Sequence, residues 1–323
     1  MGGVAGIGLM PLNFGCTEPG ATIGSPYVPT PEAPLTPTGQ FYVNYNYGIP
    51  KVPKRWRLYV DGLVDRQHSL DLTDLAEFDS VTREITLECI GNSPGGNLIS
   101  AGAFTGVRLR DVMDAVGLSR RARGLRFLGL DGYPAYLPVS VAESDDAMLV
   151  HTLNGDPIPA VNGAPLRALI PGRFGMFNIK WLDSITATRD YATYGSLSEL
   201  ANFIDGETRT RSRIDTVSAG QTVVKGVPID VTGIAATPGL GVTRVQVDSG
   251  AGWRDAEITF NRVGDGRNRY LWTLWRATWT PDQVGDAEIR VRAFDGTGQT
   301  QQTNAGFPYD GSAIHRVRVR VVS

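Results

Sequence analysis

Alternation is the tightest constraint on this chain. Residues 242–247, 289–293 and 315–321 carry an apolar side chain at every second position, most plainly in His315-Arg316-Val317-Arg318-Val319-Arg320-Val321. A period of two belongs to a strand with one face buried and the other in water. Asp248-Ser249-Gly250, Gly264-Asp265-Gly266 and Asp295-Gly296-Thr297-Gly298 separate the runs as turns. No good helix reads out of residues 215–323, and about 110 residues of this kind make an immunoglobulin-like β-sandwich. Trp253, Trp272, Trp275 and Trp279 fall inside it and read as core or interface aromatics.

Upstream the pattern changes. Residues 56–62 read as a strand ending in a turn, and 69–75 as a strand leading into a capped helix. Residues 85–89 read as a strand running into a Gly/Asn/Pro loop, and 107–116 as a short amphipathic helix stopped by Gly117. The mixture predicts an α+β domain over 41–212, followed by the sandwich over 213–323. Pro26, Pro29, Pro31, Pro34 and Pro37 predict an extended spacer within a leader and linker of 1–40, with ordered structure starting near Phe41. The uncharged opening run, 1–16, is shorter than the roughly 20 residues that cross a bilayer. It is similar to the apolar part of an export signal, so the expected location is periplasmic or otherwise exported. An anchor at the N-terminus, including lipidation of Cys16, stays open.

Charge and metal-ligand counts narrow the chemistry. With 31 Lys+Arg against 33 Asp+Glu, the chain lacks the basic excess of a nucleic-acid binder. Two cysteines far apart and three histidines exclude a disulfide framework and a His-rich metal site. Cys89 stands out instead, in Thr86-Leu87-Glu88-Cys89-Ile90-Gly91-Asn92. A cysteine ending a strand is usually a small buried hydrophobe. Here the loop Ser93-Pro94-Gly95-Gly96-Asn97 is small enough to admit a bulky group to the sulfur, and a thiolate is a soft metal ligand.

This segment resembles the cysteine loop of the sulfite oxidase family of molybdopterin-dependent oxidoreductases. Residues 162–167 and 170–182, which include Asn162-Gly163-Ala164-Pro165 and Asn178-Ile179-Lys180-Trp181, resemble the family's second cofactor segment. The C-terminal part is similar to the family's dimerisation domain, at residues 245–248, Trp253, 292–299 and 315–317. The resemblance implies Mo-molybdopterin as cofactor, with Cys89 as catalytic residue and metal ligand. It implies cofactor contacts from Tyr42, Asn44, Asn46, Asp131, Asn162, Arg167, Asn178 and Lys180, with Arg167 and Lys180 on the phosphate. Tyr191, or Tyr194 in its place, would be the pocket tyrosine that polarises the transferred oxygen. Asp131 keeps the alternative of a turn residue before Gly132.

The departures bear on substrate. Where sulfite oxidases place arginines round the metal, this chain has Asn44-Tyr45-Asn46, Pro94 and Ala305, and Phe104 stands at the position of a pocket tryptophan. Asn162 replaces a histidine and resembles the methionine sulfoxide reductase branch. The expectation is therefore two-electron oxo transfer on a substrate other than sulfite, such as a sulfoxide. Arg108 or Arg173 folding into the site would restore a sulfite dehydrogenase. A non-catalytic binding or assembly protein is the rival from another class. The resemblance further implies a homodimer through the C-terminal domain. With no Cys-x-x-Cys-His segment, electrons need a separate c-type cytochrome or quinone-linked membrane subunit.

Overall fold

The computed structural model describes residues 27–45, 47–190, 206–262, 268–304 and 309–323. Four β-sheets dominate these residues. The α-helices are short: α1 (Leu72–Leu75), α2 (Leu109–Ala115) and α3 (Ser140–Glu143). The α+β expectation is corrected accordingly, since the N-terminal domain is mostly strand. Its helical periods last one or two turns before a stop, as at Gly117, whose φ of 69° ends α2.

The first sheet contains β1 (Leu58–Gly62), β2 (His68–Leu70), β5 (Gly124–Gly129), β6 (Pro134–Pro138) and β10 (Leu182–Thr188), in the order β2-β1-β10-β5-β6. Leu58 and Val60 are fully buried while Tyr59 between them is exposed. The i, i+3, i+4 face of α2, Leu109, Val112 and Met113, packs into the same core as Leu125, Phe127 and Ile185. Asp71 caps α1 with a reciprocal box to Asp74.

The second sheet places the candidate site. Strands β3 (Ser80–Glu88), β4 (Ile99–Arg108), β7 (Met148–Leu153) and β8 (Asp156–Pro157) follow one another, and β9 (Arg167–Leu169) pairs with β7. β3 and β4 run in continuous antiparallel register from Ser80↔Val107 to Glu88↔Ile99. Residues 89–98 are the connection of this hairpin, so the long ladder sets where the cysteine emerges.

The C-terminal domain is a sandwich. One sheet has the order β11-β13-β17-β16, from β11 (Arg211–Ile214), β13 (Ile229–Ala236), β17 (Thr273–Trp279) and β16 (Glu257–Phe260). The other has the order β12-β19-β18-β14-β15, from β12 (Thr222–Val224), β19 (His315–Val322), β18 (Gly285–Asp295), β14 (Val242–Asp248) and β15 (Arg254–Asp255). Val231, Ala235 and Trp275 of the first meet Val245, Ile289, Val291 and Val319 of the second in one core. In β19 the valines at 317, 319 and 321 are buried and the arginines between them exposed, as the alternation predicts. The sandwich opens at Arg211, just before the expected boundary.

Residues 27–40 are not a free spacer. Thr36 exchanges backbone and side-chain bonds with Ala101, whose carbonyl accepts from Thr36 N at 2.8 Å and whose amide donates to Thr36 Oγ1 at 3.1 Å. The Trp272 indole donates to Pro34 O at 2.7 Å, and Arg213 donates to Tyr27 O. Proline removes donors but leaves carbonyls, and this segment is tied to both domains mainly through its acceptors. Thr36 is 1% exposed. Thr36→Val should leave the Ala101 amide unpaired and cost about 1–3 kcal/mol, read as a lower denaturant midpoint at unchanged slope.

Candidate active site

Cys89 is the first residue past β3. Its amide donates to Leu98 O at 2.9 Å, its carbonyl accepts from Asn92 N at 3.0 Å, and Asn92 Oδ1 accepts from Leu98 N at 2.9 Å. The loop thus closes on itself across its base. Cys89 is buried, and the Asn44 side-chain amide donates to Sγ at 3.2 Å. A donor aimed at sulfur favours the thiolate.

The sulfur faces a cavity enclosing about 780 Å³ of empty volume, part of it open to solvent, whose walls include Tyr42, Asn44, Asp131, Tyr133, Arg167 and Lys180. Arg167, 4% exposed, opens β9. Its Nη1 donates to Asn162 O at 3.0 Å and its Nη2 to Asn178 O at 3.1 Å. Its Nε is buried without a partner. Burial pulls its pKa down to about 10. Lys180 Nζ donates to Val161 O at 2.8 Å and Asn44 O at 3.0 Å. Burial and then the neighbouring Arg167 pull Lys180 down to about 7. Among the described residues no carboxylate pairs with either cation. Two buried cations whose hydrogen bonds go to carbonyls make a place for an anion.

Backbone geometry sets Lys180. Trp181 has φ 48°, a left-handed conformation costly for a bulky residue. It is held there by Trp181 N donating to Gly163 O at 3.1 Å, its indole donating to Ala160 O at 2.7 Å, and Leu130 N donating to its carbonyl at 2.8 Å. Gly163 has φ 114°, and a Cβ there would stand 3.0 Å from Lys180 Cα and Cβ. The Asn-Gly dipeptide is a signal that could have marked this turn. The strained Trp181 had none.

The remaining expected residues divide. Tyr42 lines the cavity, and burial followed by the Cys89 charge raises its pKa, so it stays a neutral phenol. Gly175 makes room for it, since a Cβ there would come within 2.6 Å of the hydroxyl oxygen. Asp131 shares both readings: it lines the cavity, and its Oδ1 accepts from Tyr133 N at 3.1 Å in the turn. Burial raises its pKa. Asn162 is buried behind Arg167, outside the cavity wall, with Nδ2 unpartnered. Asn178 lines the cavity, and its side-chain amide is bonded to the surrounding loop. Its Oδ1 accepts from Ile170 N at 2.7 Å and its Nδ2 donates to Phe174 O and Arg173 O, because an irregular buried loop must satisfy its own backbone. Its part is to shape the loop and to present its carbonyl to Arg167. Asn46, Tyr191, Tyr194 and Ala305 lie outside the described residues. Tyr133, a cavity residue whose pKa burial also raises, was not anticipated.

Neither alternative arginine joins the site. Arg108 pairs with Asp111 at 3.2 Å, and Arg173 lines a separate cavity beside Tyr270 and Glu207. Phe104, fully buried, stacks edge-on against Phe41 at 5.8 Å in the core.

These residues fit an anionic, sulfur-ligated metal cofactor. The thiolate is a soft ligand, the orphaned Arg167 Nε and the depressed Lys180 await negative charge, and half-buried Asp131 can accept N–H donors. Comparison with known proteins agrees. Residues 46–194 match the family described as oxidoreductase molybdopterin binding domain. Mitochondrial sulfite oxidase of Rattus norvegicus is 28% identical over 343 residues, covering 90% of this chain and 62% of that protein. The Homo sapiens protein is 28% identical over 302 residues, covering 80% and 55%. Nitrate reductase [NADPH] of Emericella nidulans is 29% identical over 180 residues, covering 48% of this chain and 21% of that one. The fold also matches the sulfane dehydrogenase SoxCD of Paracoccus pantotrophus, with TM-score 0.75 at 21% identity over 88% of this chain and 81% of that one. The chain thus spans about three fifths of the length of the mammalian relatives. Residues 46–194 are thus matched as a molybdopterin-binding domain, whose cofactor is Mo-molybdopterin, and the cavity residues suit that group. Over most of its length the chain is similar to sulfite oxidases, and its fold is that of the SoxCD structure.

Two outcomes follow for the anion site. Lys180 sits near 7 when folded without cofactor, against an ordinary 10.5. Between these values the unfolded chain binds more protons, so this residue makes stability rise with pH through that window. The thermal midpoint of cofactor-free wild type should therefore climb relative to Lys180→Met from neutral to alkaline pH; a flat difference would contradict the burial. Gly163→Ala should cost about 1–3 kcal/mol through its backbone conformation, and elemental analysis should show less cofactor retained after gel filtration.

Proposed function

We propose that this chain transfers an oxygen atom and two electrons between a small neutral sulfur compound, such as a sulfoxide or thioether, and a cofactor held beside Cys89. One observation carries the choice of substrate. Among the described residues, the cations lining the cavity are Arg167 and Lys180, and both are turned to backbone carbonyls. Sulfite is a dianion near neutral pH and needs converging cations. Each missing cation in a desolvated anion site costs about 2–5 kcal/mol, by analogy with truncating a buried charge pair. The names of the relatives, sulfite oxidase and sulfane dehydrogenase, support a sulfur-centred substrate.

Molybdopterin, when bound, supplies the metal and its two-electron redox chemistry. Cys89 is the protein ligand, its thiolate favoured by the Asn44 amide. Arg167 and Lys180 hold the phosphate, and Lys180 keeps its proton once that charge is beside it. Asp131 accepts from pterin N–H groups. Tyr42, a neutral phenol on the same cavity wall, donates rather than repels. Tyr191, with Tyr194 as the alternative, polarises the oxygen being transferred. The immunoglobulin-like sandwich dimerises the chain, and a separate c-type cytochrome or quinone-linked membrane subunit exchanges the electrons. An exported location, with or without an N-terminal anchor, suits such partners.

The test is molybdenum per chain, with the protein made in a host that synthesises the cofactor. About one atom per chain is expected in the wild type and a clear loss in Cys89→Ala. Reduced protein should turn over dialkyl sulfoxides, while sulfite oxidation should be weak or absent. Efficient turnover of micromolar sulfite would overturn the substrate assignment. A well-folded wild type without metal or pterin would favour a binding or assembly protein on the same fold.

A further inference from the structure

The loop that carries Cys89 is held from outside its own domain. Arg211, the first residue of β11, pairs through Nη1 with Glu88 Oε1 at 2.6 Å. Glu88 and Arg211 are 6% and 5% exposed, so this pair lies in the interior at the domain junction, one residue from Cys89. Arg211 also donates through Nη2 to Gly311 O. Gly311 lies against the loop, where a Cβ would fall 1.9 Å from Asn92 O. Arg213 donates through Nη1 to Gly96 O at 3.1 Å and is itself fixed by Asp215. His315, the first residue of β19, accepts from Ile214 N at Nδ1 with a distance of 3.0 Å. Its ring lies against Gly95, where a Cβ would stand 2.3 Å from Nε2.

Four points on the sandwich therefore address residues 88, 92, 95 and 96, the base and the tip of the cysteine loop. None of the four lines the Cys89 cavity. A buried ion pair is weak support for overall stability, because desolvation offsets much of the attraction, but it is strongly directional. The Arg211 fork is particular in this respect, since it bonds Glu88 and Gly311 at once.

We propose that Arg211 is a positioning residue for the metal ligand. The sandwich aims the Cys89 sulfur by clamping Glu88, and the C-terminal domain is thereby a working part of the site. This rests on the reading of Cys89 as the ligand, and the experiment separates the two. Full-length wild type, Arg211→Met, Arg211→Lys and Glu88→Gln would be prepared with and without cofactor. In cofactor-free protein, hydrogen exchange of residues 89–98 and alkylation of Cys89 by iodoacetamide would be followed under native conditions. Arg211→Met and Glu88→Gln should speed both by about tenfold or more, as a local opening does, while strands β5, β10 and β18 keep their protection. Arg211→Lys should recover part of the effect. In loaded protein the thiolate-to-metal absorption band and the Mo(V) resonance should shift at retained metal content. Loop exchange and alkylation within about twofold of wild type, or acceleration spread evenly over all strands, would overturn the clamp. If Arg211→Met fails to fold, Glu88→Gln decides. A wild type that binds no molybdenum would overturn the ligand reading, and the exchange data would still decide whether the sandwich holds the loop.

Discussion

A guanidinium buried without a carboxylate partner among the described residues is the constraint from which the rest of the site follows. Arg167 has traded water for two backbone carbonyls, Asn162 O and Asn178 O, belonging to segments on either side of β9. Those bonds tie the Ala160–Asn162 turn to the loop ending at Asn178, and Lys180 leaves that loop beside them. The cation is thus a cross-brace between the two segments. Its Nε has no partner, and burial together with the neighbouring Arg167 lowers the Lys180 pKa. Charge of one sign gathered in a dry place is tolerable when a ligand brings the other sign.

Around this brace the molecule divides its labour by rigidity. The β3–β4 ladder delivers Cys89 to a fixed point, and Asn44 joins the sulfur to the cation side by donating to one and accepting from Lys180. Backbone strain at Trp181 and the missing side chains at Gly163 and Gly175 are concentrated where the cavity must be shaped. The sandwich contributes from behind through Glu88–Arg211, Arg213 and His315. The N-terminal strap crosses both domains, so the two cores act on one loop.

Much of this was legible in the residues. Period-two valines announced the sandwich, and residues 69–75 announced a strand leading into a capped helix. Cys89, Arg167 and Lys180 were singled out from their segments, and the fold brings all three to one cavity. The loop-bonding part of Asn178 could not be read, because an amide has the same composition whether it faces a ligand or satisfies a loop. Asp131 shows the same ambiguity resolved both ways, with one oxygen in a turn and the residue still on the cavity wall. The proline-rich segment misled for a related reason, since composition reports stiffness and not what the carbonyls meet.

What the sequence determined by itself is local and periodic: strand faces, helix stops, the turn at Asn162-Gly163 and the identities of the chemical groups. What only the tertiary structure decided is pairing across long separations. Glu88 meets Arg211 and Gly95 meets His315 across the domain junction, Asn44 reaches Cys89 and Lys180, and Arg108 and Arg173 point elsewhere. The physical reason is that burial and partnership set the charge, direction and availability of a polar group, and both are properties of the packed chain.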